Sequence, residues 1–319
     1  MSVLYITSQK QGSGKTTFCA AIAGILNDAG KVVHLVKPYP QGELGQGSDN
    51  AKLSKLIDNV VDPPSDKTVD ALIAVIKDAD SKCDWVIVEA SPPLRVEDQV
   101  LIVQELGAKV LVISVPSEID SVAGFSKNFQ PYLAGVIINQ LPKYARTQIE
   151  QNISRNFIDA HISLLGMVPE DRTLLSLSVS QICERLGGRV FGEEQNFDAL
   201  VEHFMVGGFG MDPGQYSFST RSKKAVVVRG DRPDVQMSAL GTEMECFIMT
   251  NGIDPIEYVK YEATEEQVAI IIVDSNTLDT MENISGLQHL SEFDHPDKLS
   301  RAKELINDHV DMKSLISMD

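Results

Sequence analysis

Several features that would point to particular classes of protein are scarce in this sequence. It has 4 cysteines in 319 residues, and they are scattered without a C-x-x-C pair: Cys19, Cys83, Cys183 and Cys246. This spacing favours reduced thiols over a zinc site or a disulfide framework. No apolar run approaches the roughly 20 residues that span a bilayer. The N-terminus leads directly into an apolar strand, so we expect no signal peptide and a cytoplasmic protein.

Basic residues are also scarce. The chain has 28 Lys and Arg against 45 Asp and Glu, a net charge of −17. Nucleic acids and anionic membranes bind basic surfaces, so we expect neither as a partner. Residues 221–319 hold 10 basic and 19 acidic side chains, and this shift favours a separate C-terminal domain.

One glycine is missing where a phosphate-binding loop normally begins. Gln9 stands at the first position of the pattern G-x-x-x-x-G-K-[ST], and the remainder of the pattern is present. An apolar run at residues 3–6 precedes it, and a helical pattern at residues 18–26 follows. Strand, glycine-bearing loop and helix form the context that phosphate binding requires. The residues predicted to bind nucleotide are Gly12, Ser13, Gly14, Lys15, Thr16 and Thr17.

Several residues of this loop have a predicted role. The backbone at Gly12 and Gly14 can approach an anion, Lys15 would reach the β- and γ-phosphates, and the Thr16 hydroxyl would bind Mg²⁺. Lys10 has the spacing of the second lysine in the deviant loops of dimeric P-loop ATPases, which the sequence partly resembles. That resemblance implies a lysine that reaches the partner's nucleotide across a homodimer. The alternative is a solvated surface lysine.

Continuous β-branched runs alternate with helical patterns through the first 190 residues. They predict a doubly wound α/β domain with a parallel sheet, whose site lies at the carboxyl edge of the strands. Glu89 ends the third apolar strand, where a carboxylate can hold Mg²⁺. Asp49, in a glycine-rich loop, is a second candidate acid, and Lys37 could place a cation near a transferred phosphate or a carboxylate substrate. The alternatives are a solvated glutamate and a surface lysine.

Together these elements resemble dethiobiotin synthetase. The matching segments, in order, are Thr7…Gly14-Lys15-Thr16, Lys37-Pro38, Ser48-Asp49, Glu89, residues 135–139 and residues 164–169. The resemblance implies Mg-ATP, with Thr16, Asp49 and Glu89 around the metal and Lys15 on the phosphates. It also implies that Asn139 and Pro169 cradle the adenine.

Two turns depart from the pattern of that family. Glu89 is followed by Ala90-Ser91-Pro92-Pro93, where the family has a glycine-rich turn that helps to form the substrate pocket. Proline lacks an N–H donor, so this turn cannot cradle an anion in the same way. Tyr39-Pro40-Gln41-Gly42 replaces the Ser-Gly expected after Lys37-Pro38. The resemblance to dethiobiotin synthetase therefore supports nucleotide binding more strongly than it supports binding of that family's diamine substrate.

A glycine-rich stretch between residues 205 and 222 predicts a joint, with domains at 1–217 and 222–319. Beyond it, Asp231-Arg232 and Thr250-Asn251-Gly252 resemble the domain named for its D-R…T-G-G residues. The two domains together are similar to the N-terminal region of long phosphate acetyltransferases, without the acetyl-transfer domain. The resemblance implies a regulatory second domain with no firmly assigned ligand, for which a small metabolite is one candidate. The alternative is an internal Asp–Arg pair or simple turn chemistry.

Two classes of function fit these patterns. The first is a nucleotide-dependent regulator or slow ATPase with a ligand-sensing C-terminal domain. The second is an ATP-dependent enzyme that activates a carboxylate or carbamate, as a ligase does. An ATPase that positions cargo is disfavoured, because the chain lacks a basic surface and a membrane-targeting helix.

Overall fold

The computed structural model divides the chain into two compact units. The first comprises Met1–Asp171 and Phe293–Asp319, and the second comprises Arg172–Glu292. The second unit is thus inserted into the sequence of the first. The residues that the structure describes are 2–38, 49–66, 68–90, 94–144, 147, 149–150, 157, 160–191, 196–208 and 213–316.

The first unit contains a sheet of seven strands. Their bounds are β1 Val3–Thr7, β2 Val33–Val36, β3 Val60–Val61, β4 Trp85–Glu89, β5 Lys109–Ser114, β6 Leu133–Leu141 and β7 Leu164–Pro169. The strands pair in parallel in the order β3-β2-β4-β1-β5-β6-β7. The chain moves to one side of β1 as far as β4 and then to the other side from β5, which opens a crevice at the carboxyl end of β1. The predicted doubly wound fold is confirmed.

Both faces of this sheet are covered, as continuous apolar strands require. Before the insertion, the α-helices whose bounds the structure describes are α1 Lys15–Asp28, α2 Asp49–Leu53, α3 Val69–Asp80, α4 Val96–Leu106 and α5 Ile119–Lys127. Side chains of α3, α4 and α5 pack in one core with alternate strand residues such as Tyr5 and Val88. The intervening residues, such as Leu4 and Ile87, are equally buried on the opposite face. Helix α1 contacts β1, β2 and β4.

The second unit has its own sheet and core. Its helices are α6 Arg172–Leu175, α7 Val179–Leu186, α8 Pro213–Phe218, α9 Pro233–Leu240, α10 Glu257–Glu265 and α11 Thr277–Ser285. Its strands are β8 Leu177–Ser178, β9 Arg189–Phe191, β10 Leu200–Val201, β11 His203–Val206, β12 Lys224–Arg229, β13 Cys246–Thr250 and β14 Ala269–Ile272. The main sheet runs β11-β12-β13-β14-β9, with β9 alone antiparallel in the pairings described. Separate apolar clusters cover its two faces.

The chain then returns to the first unit with α12 Pro296–His309 and α13 Met312–Ile316. Helix α12 lies along α1, and the Lys303 ammonium pairs with the Asp28 carboxylate. At its end the backbone bridges to Gly166 of β7. A Cβ on Gly166 would lie 2.2 Å from the carbonyl oxygen of His309, so only glycine fits this contact. None of the helices in the described ranges has the length and apolar character needed to cross a bilayer.

This division differs from the one predicted from the sequence, 1–217 and 222–319. Strand β11 pairs with β12, so the glycine-rich stretch joins neighbouring strands of one sheet. Helix α12 lies within the range predicted for the second domain, but it covers α1 of the first unit. Glycine content and charge mark a connection between elements, but they do not tell which core those elements join.

Candidate functional site

The glycine-bearing loop lies at the crevice beside β1. Helix α1 begins at Lys15 with Gly14 as its N-cap, and its first turn has neither a capping side chain nor an acidic residue. The N–H groups of that turn therefore remain available to an anion. Gly12 and Gly14 have φ of 74° and 93°, values that favour glycine. The loop has the backbone shape that phosphate binding requires.

The Lys15 ammonium is held by the loop itself. Its Nζ lies 2.6 Å from Ser8 Oγ, which accepts the bond, and 3.4 Å from the carbonyl oxygen of Lys10. Burial lowers the pKa of Lys15, and the nearby charge of Glu89 opposes that shift. Ser8 was not selected from the sequence. Its hydroxyl oxygen accepts a hydrogen bond from the Lys15 ammonium, the group predicted to bind phosphate oxygens.

Thr16, Lys37 and Glu89 meet at one point beside the loop. Thr16 Oγ1 donates to Glu89 Oε1 at 2.8 Å, and Lys37 Nζ lies 3.2 Å from each of these two oxygens. Lys37 and Glu89 are 5% and 4% exposed. Strands β2 and β4 are neighbours, and their carboxyl ends bring Lys37 and Glu89 to the loop. The ammonium is a cation held between a hydroxyl and a carboxylate oxygen, the donor types that also suit Mg²⁺.

Strand β6 supports the loop from the other side. Asn139 Nδ2 donates to the Ser13 carbonyl at 2.9 Å, and Gln140 Nε2 donates to the Gly12 carbonyl at 2.8 Å. A Cβ on Gly14 would lie 2.4 Å from Asn139 Nδ2. Asn139, predicted to cradle adenine, thus fixes the P-loop in this structure. Asn139 was selected only through the resemblance to dethiobiotin synthetase, and that resemblance did not indicate the contact with the Ser13 carbonyl.

A cavity of about 330 Å³ opens beside the loop. Its lining combines the P-loop with the ends of β5, β6 and β7: Lys10, Gln11, Gly12, Ser13, Val115, Pro116, Ser117, Gln140, Pro142 and Glu170. Three buried polar atoms of this region lack a partner in the described structure: Ser13 Oγ, Ser114 Oγ and Glu118 Oε2. Unpaired buried polar atoms are uncommon in proteins and accompany binding sites. Glu118, in the turn Pro116–Glu118 after β5, was not selected from the sequence.

Other predicted residues are not brought into this site. Lys10 is exposed, and its side chain has no partner in the described ranges, although its carbonyl accepts from Ser8 Oγ at 2.7 Å. The Asp49 side chain and the turn residues 39–42 and 91–93 lie outside the described residues. Pro169 ends β7 opposite Leu141. Within the described ranges no three His, Cys, Asp or Glu side chains group into a metal site.

The family comparison agrees with this geometry. The profile described as CobQ/CobB/MinD/ParA nucleotide binding domain matches residues 4–182, more than half of the 319 residues. The chain belongs to this family. Membership of the CobQ/CobB/MinD/ParA family makes the first unit a P-loop nucleotide-binding domain.

The polar residues of the motif in the second unit pair with neighbouring residues of the same unit. Asp231 pairs with Arg229 rather than with Arg232, whose guanidinium pairs with Asp234. Thr250 is fully buried and its Oγ1 lies 3.0 Å from Thr277 Oγ1. These contacts favour internal pairing over a prepared ligand site at these residues.

Close contacts and backbone conformation explain why glycine stands at position 230, beside Asp231, and at position 252. A Cβ on Gly230 would lie 2.0 Å from the Ile253 carbonyl oxygen, and Gly252 has φ of 63° beside Asp274. The profile of the DRTGG domain matches residues 181–287, within the second unit. A cavity of about 580 Å³ in this unit is lined by other residues, Gln215, Tyr216, Ser219, Arg221, Ser222, Gly241, Thr242 and Glu243.

Similarity to individual proteins is low. The phosphate acetyltransferase of Nitratidesulfovibrio vulgaris is 23% identical over 159 residues, which are 47% of this chain and 22% of that protein. The chain therefore spans about a fifth of the length of this curated relative. MinD of Pyrococcus horikoshii, solved with Mg-ADP, is 19% identical with a TM-score of 0.39, and 54% of this chain and 83% of that chain are covered. The cell division ATPase MinD of Pyrococcus furiosus is 20% identical with a TM-score of 0.40, and the shares are 54% and 85%.

Proposed function

We propose that the first unit binds ATP with Mg²⁺ and acts as a slow, nucleotide-dependent regulatory ATPase. The observation that carries the proposal is the contact between Thr16 Oγ1 and Glu89 Oε1 at 2.8 Å, directly beside a P-loop. A P-loop hydroxyl and a strand-end carboxylate are the residues that hold the metal of a bound nucleotide. Thr16 and Glu89 would hold Mg²⁺, and Asp49 is the proposed third ligand.

Other residues in and around the loop would bind the phosphates and keep the loop in shape. Phosphate oxygens would replace Ser8 at the Lys15 ammonium, and the N-terminus of α1 would bind the same anion through its N–H groups. Asn139 and Gln140 keep the loop in its binding shape through the Ser13 and Gly12 carbonyls. When bound, Mg²⁺ neutralises the charge that develops on the transferred phosphoryl group.

We assign the base to the side of the loop where β6 and β7 end. The Asn139 amide nitrogen already donates to the Ser13 carbonyl, so its oxygen is the atom suited to the amino group of adenine. Pro169 lies at the end of the neighbouring strand. The cavity beside the loop supports a ligand in this region.

Regulation is supported by the arrangement of the chain. The second unit is inserted between Asp171 and Phe293, so its covalent connections lead to β7 on one side and to α12 on the other. Helix α12 packs on α1, the helix that begins at the P-loop. A metabolite bound by the second unit would thus act on a segment continuous with the support of the nucleotide site. A homodimer in which Lys10 reaches the partner's nucleotide is part of this proposal.

The second candidate function is that of an ATP-dependent ligase of the dethiobiotin synthetase type. Lys37 favours it, because a buried ammonium next to the P-loop threonine can stabilise an acyl or carbamoyl phosphate as it forms. ATP turnover by the purified protein, with and without 7,8-diaminopelargonate and bicarbonate, separates the two candidates. Slow ATP turnover that does not change when these compounds are added supports the regulator. Strong stimulation of turnover by these compounds supports the ligase.

Calorimetry with ATP and ADP tests the common basis of both candidates. Lys15→Ala should abolish nucleotide binding, because the phosphates lose their ammonium. Lys31→Ala is the matched control, since Lys31 is exposed beyond the other end of α1. Unchanged affinity in Lys15→Ala would exclude the P-loop as the nucleotide site.

A further inference from the structure

The Lys37 ammonium occupies the position where the proposed metal ligands meet. Its Nζ is 3.2 Å from Thr16 Oγ1 and 3.2 Å from Glu89 Oε1, and these two oxygens are 2.8 Å apart. All three side chains belong to the first unit. One cation therefore already lies against the Thr16 and Glu89 oxygens, two of the three ligands that the proposed function assigns to Mg²⁺.

A divalent cation and this ammonium are poorly compatible at one site. Like charges a few ångströms apart repel strongly where water is largely excluded, and Lys37 and Glu89 are both buried. Removing the ammonium without replacement would leave the Glu89 carboxylate without this countercharge in a buried position, which is costly. The site therefore favours exchange of one cation for the other.

We propose that Lys37 is a stand-in cation, which holds the metal position in the nucleotide-free protein and leaves it when Mg²⁺ binds. This inference rests on the proposed Mg-nucleotide function. The Lys37 backbone directly follows β2, which is fixed between β3 and β4, but its flexible four-carbon side chain allows the ammonium to swing. Metal binding then turns Lys37 from a partner of Glu89 into a cation available to phosphate or substrate.

The proposal gives an order of events. Nucleotide alone can reach the P-loop while Lys37 remains on Glu89, and Lys37 becomes available only after the metal has replaced it. While no metal is bound, Lys37 is a positioning residue. A permanent structural pair between Lys37 and Glu89 is the competing explanation, and it predicts that metal leaves the pair intact.

Titration with Mn²⁺ in the absence of nucleotide, followed by electron paramagnetic resonance, tests the competition directly. Lys37→Met keeps the length of the side chain and removes its charge, so Mn²⁺ should bind at least about tenfold more tightly than in wild type. Adding Glu89→Gln to this variant should remove the gain. Lys31→Met controls for the loss of a lysine from the same unit. Equal Mn²⁺ affinity in wild type and Lys37→Met would overturn the proposal.

Crystal structures of the wild-type protein supply a measurement that needs no variant. With ADP and EDTA, Lys37 Nζ should remain near Thr16 and Glu89; with Mg-ADP it should have left both oxygens. A Lys37 ammonium still on Glu89 beside a bound Mg²⁺ would overturn the proposal. Failure of ADP to bind would instead count against the proposed function, and the nucleotide-free Mn²⁺ titration would still decide the role of Lys37.

Discussion

Replacement of Gly14 by alanine should damage the P-loop more than the same change at Gly12. Both glycines have positive φ, so each substitution meets a backbone cost of about 1–2 kcal/mol. At Gly12 no atom lies within 4 Å of the added Cβ, whereas at Gly14 the Cβ would lie 2.4 Å from Asn139 Nδ2. Only the second change forces a neighbouring side chain to move.

That movement breaks the bond from Asn139 to the Ser13 carbonyl. Buried groups that lose their hydrogen-bond partner cost about 1–3 kcal/mol. We therefore expect Gly14→Ala to lower the free energy of unfolding by about 2–5 kcal/mol, against about 1–2 kcal/mol for Gly12→Ala. Nucleotide affinity should fall in the same order.

Urea denaturation followed by tryptophan fluorescence is the assay. The chain has one tryptophan, Trp85, which is buried in β4, so the signal reports on the first unit. The double variant Gly14→Ala/Asn139→Ala should show coupling, because the clash disappears when the amide is absent. Equal losses for Gly12→Ala and Gly14→Ala, or strict additivity in the double variant, would refute the reasoning.

Three further predictions follow from the structure. Nucleotide should tighten a homodimer of the wild type in sedimentation but not of Lys10→Ala; an equal response would exclude the cross-subunit role of Lys10. The fragment 172–292 should unfold cooperatively in urea and the fragment 222–319 should not, since the latter lacks β11 and β9; the reverse result would restore the boundary predicted from the sequence. Because burial raises the pKa of all four thiols and only Cys83 is partly exposed, a thiol reagent at pH 8 should modify at most one cysteine quickly. Rapid modification of two or more in the native protein would contradict this burial.

The local elements of the fold could be predicted from the sequence, because their signals lie within a few neighbouring residues. The apolar strand that Glu89 was predicted to end is β4, Trp85–Glu89. The helical spacing of Leu72, Ile73 and Ile76 is a local signal of the same kind, and these residues lie in α3, which begins after the cap Thr68. The P-loop was detectable for the same reason, since its glycines, lysine and threonine all lie within residues 12–16.

Contacts between distant segments were decided by the tertiary structure. Thr16 and Glu89 are 73 positions apart, and they meet with Lys37 because β2, β4 and β1 lie side by side in the sheet. The sequence selected each of them for a strand-end or loop position, but no local signal shows that the ammonium lies between the two oxygens. Likewise, no local pattern indicates that Asn139 approaches Gly14.

Contacts between distant segments also decided which unit each part of the chain belongs to. The pattern of residues in α12 favours a helix with one buried face, but many apolar surfaces would satisfy that requirement equally. Only the fit of α12 against α1 and of Val310 against Gly166 selects the first unit. Periodicity specifies which side of an element is buried; the shape and charge of the folded chain specify what buries it.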